Sequence, residues 1–414
     1  MNQLTKLVPE LRFPEFDGKW KQDPLNKLAK VNPRNKELPD KFIYIDLESV
    51  TKGILVKEET ISAQEAPSRA QRVLEKGDIL YQTVRPYQKN NYFFDKDGDY
   101  VASTGYAQIK AKYDSEYLFQ FLHNQNFVNI VNRRSTGTSY PAISPSELVK
   151  IKVNYPTVLE QQKIASFLSQ VDKKIDLLTQ KVEQLELYKK GVMQKLFSQE
   201  IRFKPDLSGD EGEDNGEAFP EWEEKRLGLI GETYSGLSGK TKDDFGDGDN
   251  YIQYKQIFDN SKIDIKDCGK VELKENEKQN EVKFGDVFFT VSSETPDEIA
   301  TASVYLGETT EPLYLNSFCF GFRVNQNIIN PFFARYLFRN SIFRRKIMPL
   351  AQGSTRFNIS KSSFIKLKIK IPNLNEQSKI ANCLSAIDQK IDYTQQQLDQ
   401  TKMFKKGLLQ KMFV

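Results

Sequence analysis

Catalysis by side chains needs a constellation, and this chain lacks the usual pieces. Its single histidine is His123, which argues against a His-based triad or a His-rich metal site. Its three cysteines, Cys268, Cys319 and Cys383, are far apart, with no CxxC or Cys/His spacing. Neither a disulfide framework nor a zinc site is expected, and no metal is assigned. Gly239-Lys240-Thr241 is like the end of a phosphate-binding loop, but Tyr234 stands where its leading glycine belongs. Pro205-Asp206 with Glu223-Glu224-Lys225 mimics a nuclease spacing, yet Asp206 opens an acidic stretch and not a strand. Phe245-Gly246-Asp247-Gly248 reads as a turn. No Asn/Asp-Pro-Pro-Tyr or Phe-x-Gly-x-Gly pattern marks an adenine methyltransferase core. The chain is expected to be no enzyme by itself and to bind no cofactor.

The remaining chemistry is that of binding. DNA recognition needs cations for phosphates and paired donors and acceptors for base edges. The loop Thr83–Tyr92 supplies Arg85, Tyr87, Gln88, Lys89, Asn90 and Asn91 after a strand. Two further loops are small, hydroxyl-rich and centred on a glycine that lets backbone approach phosphate closely. They are Thr136-Gly137-Thr138-Ser139-Tyr140 and Gly353-Ser354-Thr355-Arg356, the latter followed by Asn358. Arg133, Arg134, Arg344 and Arg345 close the helices that lead into them; cations there also complement a helix dipole. Ser238, Lys240, Lys242, Ser292, Ser293 and Thr295 are weaker loop candidates.

These loops sit in a sequence written twice. Residues 143–197 match residues 359–413 at a constant offset of 216 without a gap, with about 25 of 55 positions identical. His123 falls opposite Arg339, so the imidazole is not part of the shared plan. Asp114-Ser115 and Asn330-Pro331 start helices expected over about 115–132 and 331–347. Upstream the likeness fades, though Gly77-Asp78-Ile79 still faces Gly285-Asp286-Val287. Each half is therefore a divergent segment followed by a nearly constant one. A part needed twice beside parts that differ suits a bipartite reader.

The constant parts are amphipathic helices. Ile164, Leu168, Val171, Ile175, Leu178, Val182 and Leu185 alternate steps of four and three, the seam of a coiled coil. Ile380, Leu384, Ile387, Ile391 and Leu398 repeat it, with Thr394 and Thr401 interrupting. Two narrow seams in one chain predict an intramolecular antiparallel pair, each helix about 57 Å long. Gly191 and Gly407 are expected to relax the last turns, and the apolar ends (Val192, Leu196, Phe197; Leu408, Met412, Phe413) to dock elsewhere. The alternating stretches LVKIKVNYP and FIKLKIKIP read as edge strands ended by Pro156 and Pro372. The divergent segments, with short β-rich runs and a helix or two, read as α+β. Asp206–Glu217 is acidic and Gly-rich, and reads as a flexible linker.

The whole chain of 414 residues suits several domains, and its net charge of +4 is too mild to prove a nucleic-acid partner. The opening lacks a signal pattern and no apolar run is long enough to span a bilayer, so a soluble cytoplasmic protein without a membrane partner is expected.

The opening LRFPEFDGKW and its echo AFPEWEEKRLG, the paired glycine loops, and EQQKIASFLSQVDKKID with NEQSKIANCLSAIDQKID resemble the type I restriction–modification specificity subunits, the HsdS family. The resemblance covers essentially the whole chain. It implies an α+β fold with two pseudo-repeated target-recognition domains joined by two long helices in an antiparallel coiled coil. Those domains would occupy 1–150 and 221–366, the helical segments 151–200 and 367–414, and the linker 201–220. It also implies a bipartite double-stranded DNA site read one half per domain. Two modification subunits of the HsdM type and restriction subunits of the HsdR type would be recruited as partners. S-adenosylmethionine, ATP and Mg would belong to those partners. Two other readings stand beside it: a coiled-coil scaffold that reads no DNA, and a stand-alone nuclease or methyltransferase with an unrecognised site.

Overall fold

The structure, a computed structural model, describes residues 7–34, 37–205 and 218–414. The acidic stretch 206–217, with Asp206, lies outside these residues. The chain divides into two compact units, residues 1–180 with 395–414 and residues 181–394. Each unit holds one mixed α/β module and part of each long helix.

In the first unit two four-stranded sheets form the module. The fully buried strand Ile79–Gln82 lies between Tyr92–Phe93 and Tyr106–Ala111, antiparallel to both, with Ala29–Val31 at the far edge. In the other sheet Lys41–Ile45 pairs antiparallel with Glu59–Ser62 and parallel with Tyr100–Ser103. The second unit repeats the plan with a four- and a three-stranded sheet. Val287–Thr290 lies between Cys319–Val324 and Ala302–Val304, and Phe245–Ile252 lies between Gly269–Val271 and the parallel Leu313–Leu315. Both central strands leave the same turn. Gly77 and Gly285 adopt φ of 91° and 87°, and Asp78 and Asp286 accept from the N–H groups of Glu75 and Lys283 at 2.8 Å.

Two expectations about the modules need correction. The single helix expected over 115–132 is two, Ser115–Leu122 and Gln125–Arg134, and that over 331–347 is Pro331–Leu337 and Ser341–Ile347. Asn124 and Asn340 break them. Each side chain accepts from N–H groups of the next helix and so starts it afresh. The stretch before each long helix is strand only over Lys152–Tyr155 and Lys368–Ile371. The preceding Pro145–Leu148 and Lys361–Phe364 are helical turns capped by Ser144 and Ser360.

The long helices are Val158–Phe197 and Leu374–Lys411. Within the first unit, Lys405 of the second helix donates to Asp172 of the first at 2.5 Å, and Gln120 donates to the same carboxylate. Within the second unit, Lys189 meets Asp388 at 2.5 Å, and Tyr336 donates to it. Each bond is the other displaced by the repeat, as an antiparallel pair requires. Most seam residues are buried, and Thr394 and Thr401 return their hydroxyls to the carbonyls of Lys390 and Gln397. Gly191 and Gly407 do not relax the last turns, because both lie inside unbroken helix. The apolar ends dock as expected. Leu196 and Phe197 join the core around Trp222 and Phe333, and Leu408, Met412 and Phe413 join the core around Trp20 and Phe121.

A buried ion pair anchors each helix start. Arg12 and Trp20 converge on Glu160, and Arg202 and Trp222 on Glu376. Among the described residues no helix is long and apolar enough to cross a membrane.

Candidate nucleic-acid interface

The two loop groups singled out in each half meet at one place. In the first module the chain leaves its central strand at Thr83, and the glycine loop folds into a hairpin closed by Thr136 and Ala142, each donating to the other at 2.9 Å. The hairpin docks onto the strand end: Ile143 N–H donates to the Thr83 carbonyl at 3.0 Å and Arg85 N–H to that of Pro141 at 2.7 Å. Arg85 is left-handed, φ 54°, a strained conformation that a side chain with no local reason rarely keeps. The turn aims its guanidinium over the Tyr140 ring, 4.2 Å from the centroid. Residues 136–140 are all exposed.

The second module builds the same frame from other side chains. Ile359 N–H donates to the Val291 carbonyl at 3.1 Å, and Ser292 and Ser293 pair with Asn358 and Phe357. Gln352 and Asn358 close the hairpin at 2.9 and 2.8 Å. Gly353 has φ 127°, and a Cβ there would meet the Arg356 carbonyl oxygen at 2.0 Å, so only glycine fits. Ser293 stands where Arg85 stood and Arg356 where Tyr140 stood. The cation has moved from the strand end to the hairpin. Beside it opens a cleft of about 360 Å³ lined by Tyr254, Ser292, Glu294, Glu298, Phe318 and Arg356.

The other sequence candidates divide sharply. Tyr87, Thr138, Ser139, Ser238, Lys242, Thr295, Arg345, Ser354 and Thr355 are exposed. Several others are engaged within the fold. Gln88 accepts from Gln82, Asn90 spans Val50 and Gly53, and buried Asn91 accepts from the Gln82 N–H. Lys89 donates to the His123 carbonyl and to Gln125, and burial with nearby Lys406 lowers its pKa. These four side chains therefore shape the loop more than they present a surface. Lys240 is buried on Glu277, whose carboxyl it holds down to about 2 with help from backbone and Gln279. Arg344 donates to the carbonyls of Ala300 and Asp297, and burial lowers its pKa. Arg134 sits 3.7 Å from Glu147, and Arg133 reaches back to Asn129. Ser293 donates to the Thr295 carbonyl.

Tyr254, Glu294, Glu298 and Phe318 were not singled out from the sequence. They come from the start of the helix Tyr254–Asp259 and from two separate loops, and no spacing links them.

A doubled frame with interchangeable side chains defines a class, and family comparison agrees. The type I restriction modification DNA specificity domain matches residues 19–187 and again residues 220–403. The chain belongs to that family and is a DNA-specificity chain. It is 24% identical to the type I restriction enzyme MjaVIII specificity subunit of Methanocaldococcus jannaschii over 91% of this chain and 86% of that one. Against the HindI specificity subunit of Haemophilus influenzae it is 27% identical, over 40% of this chain and 38% of that one. The fold is similar to that of the type I restriction-modification S subunit from M. genitalium, with TM-score 0.57 and 16% identity over 98% of this chain and 99% of that one. It is equally similar (TM-score 0.57, 22% identity, 95% and 97% covered) to a chain solved for complex assembly and conformational transition of the type I R-M system.

Proposed function

We propose that each module reads one half of a bipartite DNA site through its docked hairpin and the strand end beneath it. The paired helices recruit two modification subunits, and restriction subunits join them. Methyl donor, ATP and Mg enter with those partners, whose activities this chain directs to a sequence. Thr136–Tyr140 and Gly353–Arg356 bring backbone to phosphate, while Arg85 and Arg356 offer guanidinium donors to base edges.

One observation carries this reading. The backbone frame is the same in both modules, yet the side chains at its tip are Arg85 and Tyr140 in one and Ser293 and Arg356 in the other. A scaffold that reads no DNA has no use for a constant frame with exchanged tips; a reader of two different half-sites does.

The test is the map of methylated adenines in DNA modified by this chain with its modification subunit. The expected pattern is two short specific sequences separated by a fixed unspecific gap. Methylation at one continuous sequence, or at random adenines, contradicts the proposal.

A further inference from the structure

The two modules share a backbone frame at the tip but furnish it in opposite ways. Thr83 N–H donates to the Gly105 carbonyl at 3.1 Å, and Val291 N–H donates to that of Phe318 at 3.0 Å, so Phe318 stands where Gly105 stood. Leu47 and Tyr254 correspond in the same way, each two residues beyond the end of a strand, at Ile45 and Ile252. In the first module Leu47 covers Gly105, its side-chain carbons 3.0–3.3 Å from where a Cβ would be. In the second, Phe318 stands exposed, and the Tyr254 hydroxyl donates to the Ser292 carbonyl at 2.7 Å. Tyr254 stacks on Phe258, with 6.3 Å between ring centroids and 13° between planes. The cleft of about 360 Å³ opens between these rings and the strand end.

Charge is reversed as well. The first loop, Thr83 to Tyr92, carries Arg85 and Lys89 and no acid. Its counterpart, Val291 to Ala300, carries Glu294, Asp297 and Glu298 and no base. Asp297 lies beside Arg344, while Glu294 and Glu298 line the cleft, with Arg356 on its hairpin side. Among the described residues neither glutamate carboxylate has an ion-pair or hydrogen-bond partner.

DNA carries one phosphate charge per about 1.7 Å of its axis, so a carboxylate facing it is repelled unless a base donates to it. In the major groove the donors are the exocyclic amino groups, cytosine N4 and adenine N6. The guanine O6 and N7 and the thymine O4 accept, and so suit a guanidinium. A tip with Arg85 and a tip with Glu294 and Glu298 therefore cannot favour the same base edges.

From these observations we infer that the second half-site presents an exocyclic amino group, cytosine N4 or adenine N6, to Glu294 and Glu298 in this cleft. The first module, with Arg85 at its tip, meets acceptor edges instead. The two half-sites are thus read with opposite hydrogen-bond polarity, and the two glutamates determine specificity in one of them. This rests on the reading of one half-site per module proposed above and names the base chemistry that the second module selects.

The full chain with the modification subunit of its own system tests the inference by competition binding on its mapped bipartite site. Each cytosine of the site is replaced in turn by 2-pyrimidinone and each adenine by purine, changes that remove only the amino group. The same DNAs are offered to the double variant Glu294→Ala with Glu298→Ala, so any effect on the duplex itself cancels. At a position in one half-site, loss of the amino group weakens binding by the unaltered chain about tenfold more than binding by the variant. Whether that position held cytosine or adenine identifies the source of the amino group. The variant keeps the base preferences of the other half-site, which shows that it is folded. An unaltered chain that prefers no bipartite sequence overturns the two-module reading itself. A bipartite preference with equal losses in the unaltered chain and the folded variant at every position overturns this assignment and leaves that reading standing.

Discussion

At the residue scale, the proposed reading head rests on a few residues held in costly conformations. Arg85 keeps φ 54° ahead of Pro86 and stacks on Tyr140. Arg85→Ala should weaken binding to the specific site by about 1–3 kcal/mol and leave random DNA nearly unaffected, as a lost base contact would. Competition binding with both DNAs checks it. Lys89→Ala should loosen the loop without lowering the salt slope by the unit that a lost phosphate contact costs, because its ammonium already serves His123 and Gln125. Gly353→Ala should cost more than about 1 kcal/mol of local stability and blur only the second half-site, since its φ of 127° and the Arg356 carbonyl leave no room for a methyl. Denaturation together with site profiling separates the two effects.

At the same scale, His123 ties stability to pH. Its Nδ1–H donates to the Phe119 carbonyl, and burial brings its pKa down to about 4. The folded value lies below the unfolded one near 6.5, so the unfolded chain binds the proton more readily. Stability of the first module should therefore fall as pH drops from about 6.5 toward 4. His123→Gln should flatten that part of the profile in thermal melts. An unchanged slope would show that the imidazole is not the group responsible.

At the scale of elements, the seams of the long helices and the docking of their ends were legible because an apolar repeat of 3.5 residues admits one geometry. The helix starts at Asp114 and Asn330 were legible for the same kind of reason, as a side-chain cap is a local event. The breaks at Asn124 and Asn340 were missed, since the short polar stretches 123–126 and 339–341 that hold them read equally well as the solvated face of one continuous helix. Gly191 and Gly407 misled, because a glycine weakens a helix but does not end one whose apolar face is buried on both sides of it. The cleft of Tyr254, Glu298 and Phe318 was invisible, being assembled only by sheet topology. If helix length sets the DNA gap, four residues inserted at Gln180 and at its counterpart Gln396 add about 6 Å. The preferred gap should then lengthen by one or two base pairs with both half-sites unchanged. Methylation of a library of varied gaps reads the result directly; an unchanged optimum would separate helix length from gap length.

At the scale of the whole molecule, the repeat closes on itself. Ile201 N–H donates to the Lys195 carbonyl where the first helix ends, and Leu11 N–H donates to the Lys411 carbonyl where the second ends. The segment before the first module thus takes the place at the second helix that residues 200–203 take at the first. Both modules enter and leave their helices in the same way, and what distinguishes them lies mainly in the divergent segments, in the sheets, their tips and the added helix Tyr254–Asp259. The claim that follows is that the two halves of the site are read independently. The most direct measurement replaces residues 20–145 with the corresponding segment of a relative and maps methylated adenines made with the modification subunit. The account predicts that one half-site changes to the relative's sequence while the other half-site stays as it was. A change in both half-sites, or loss of all specificity in a complex that still folds and methylates, would contradict it.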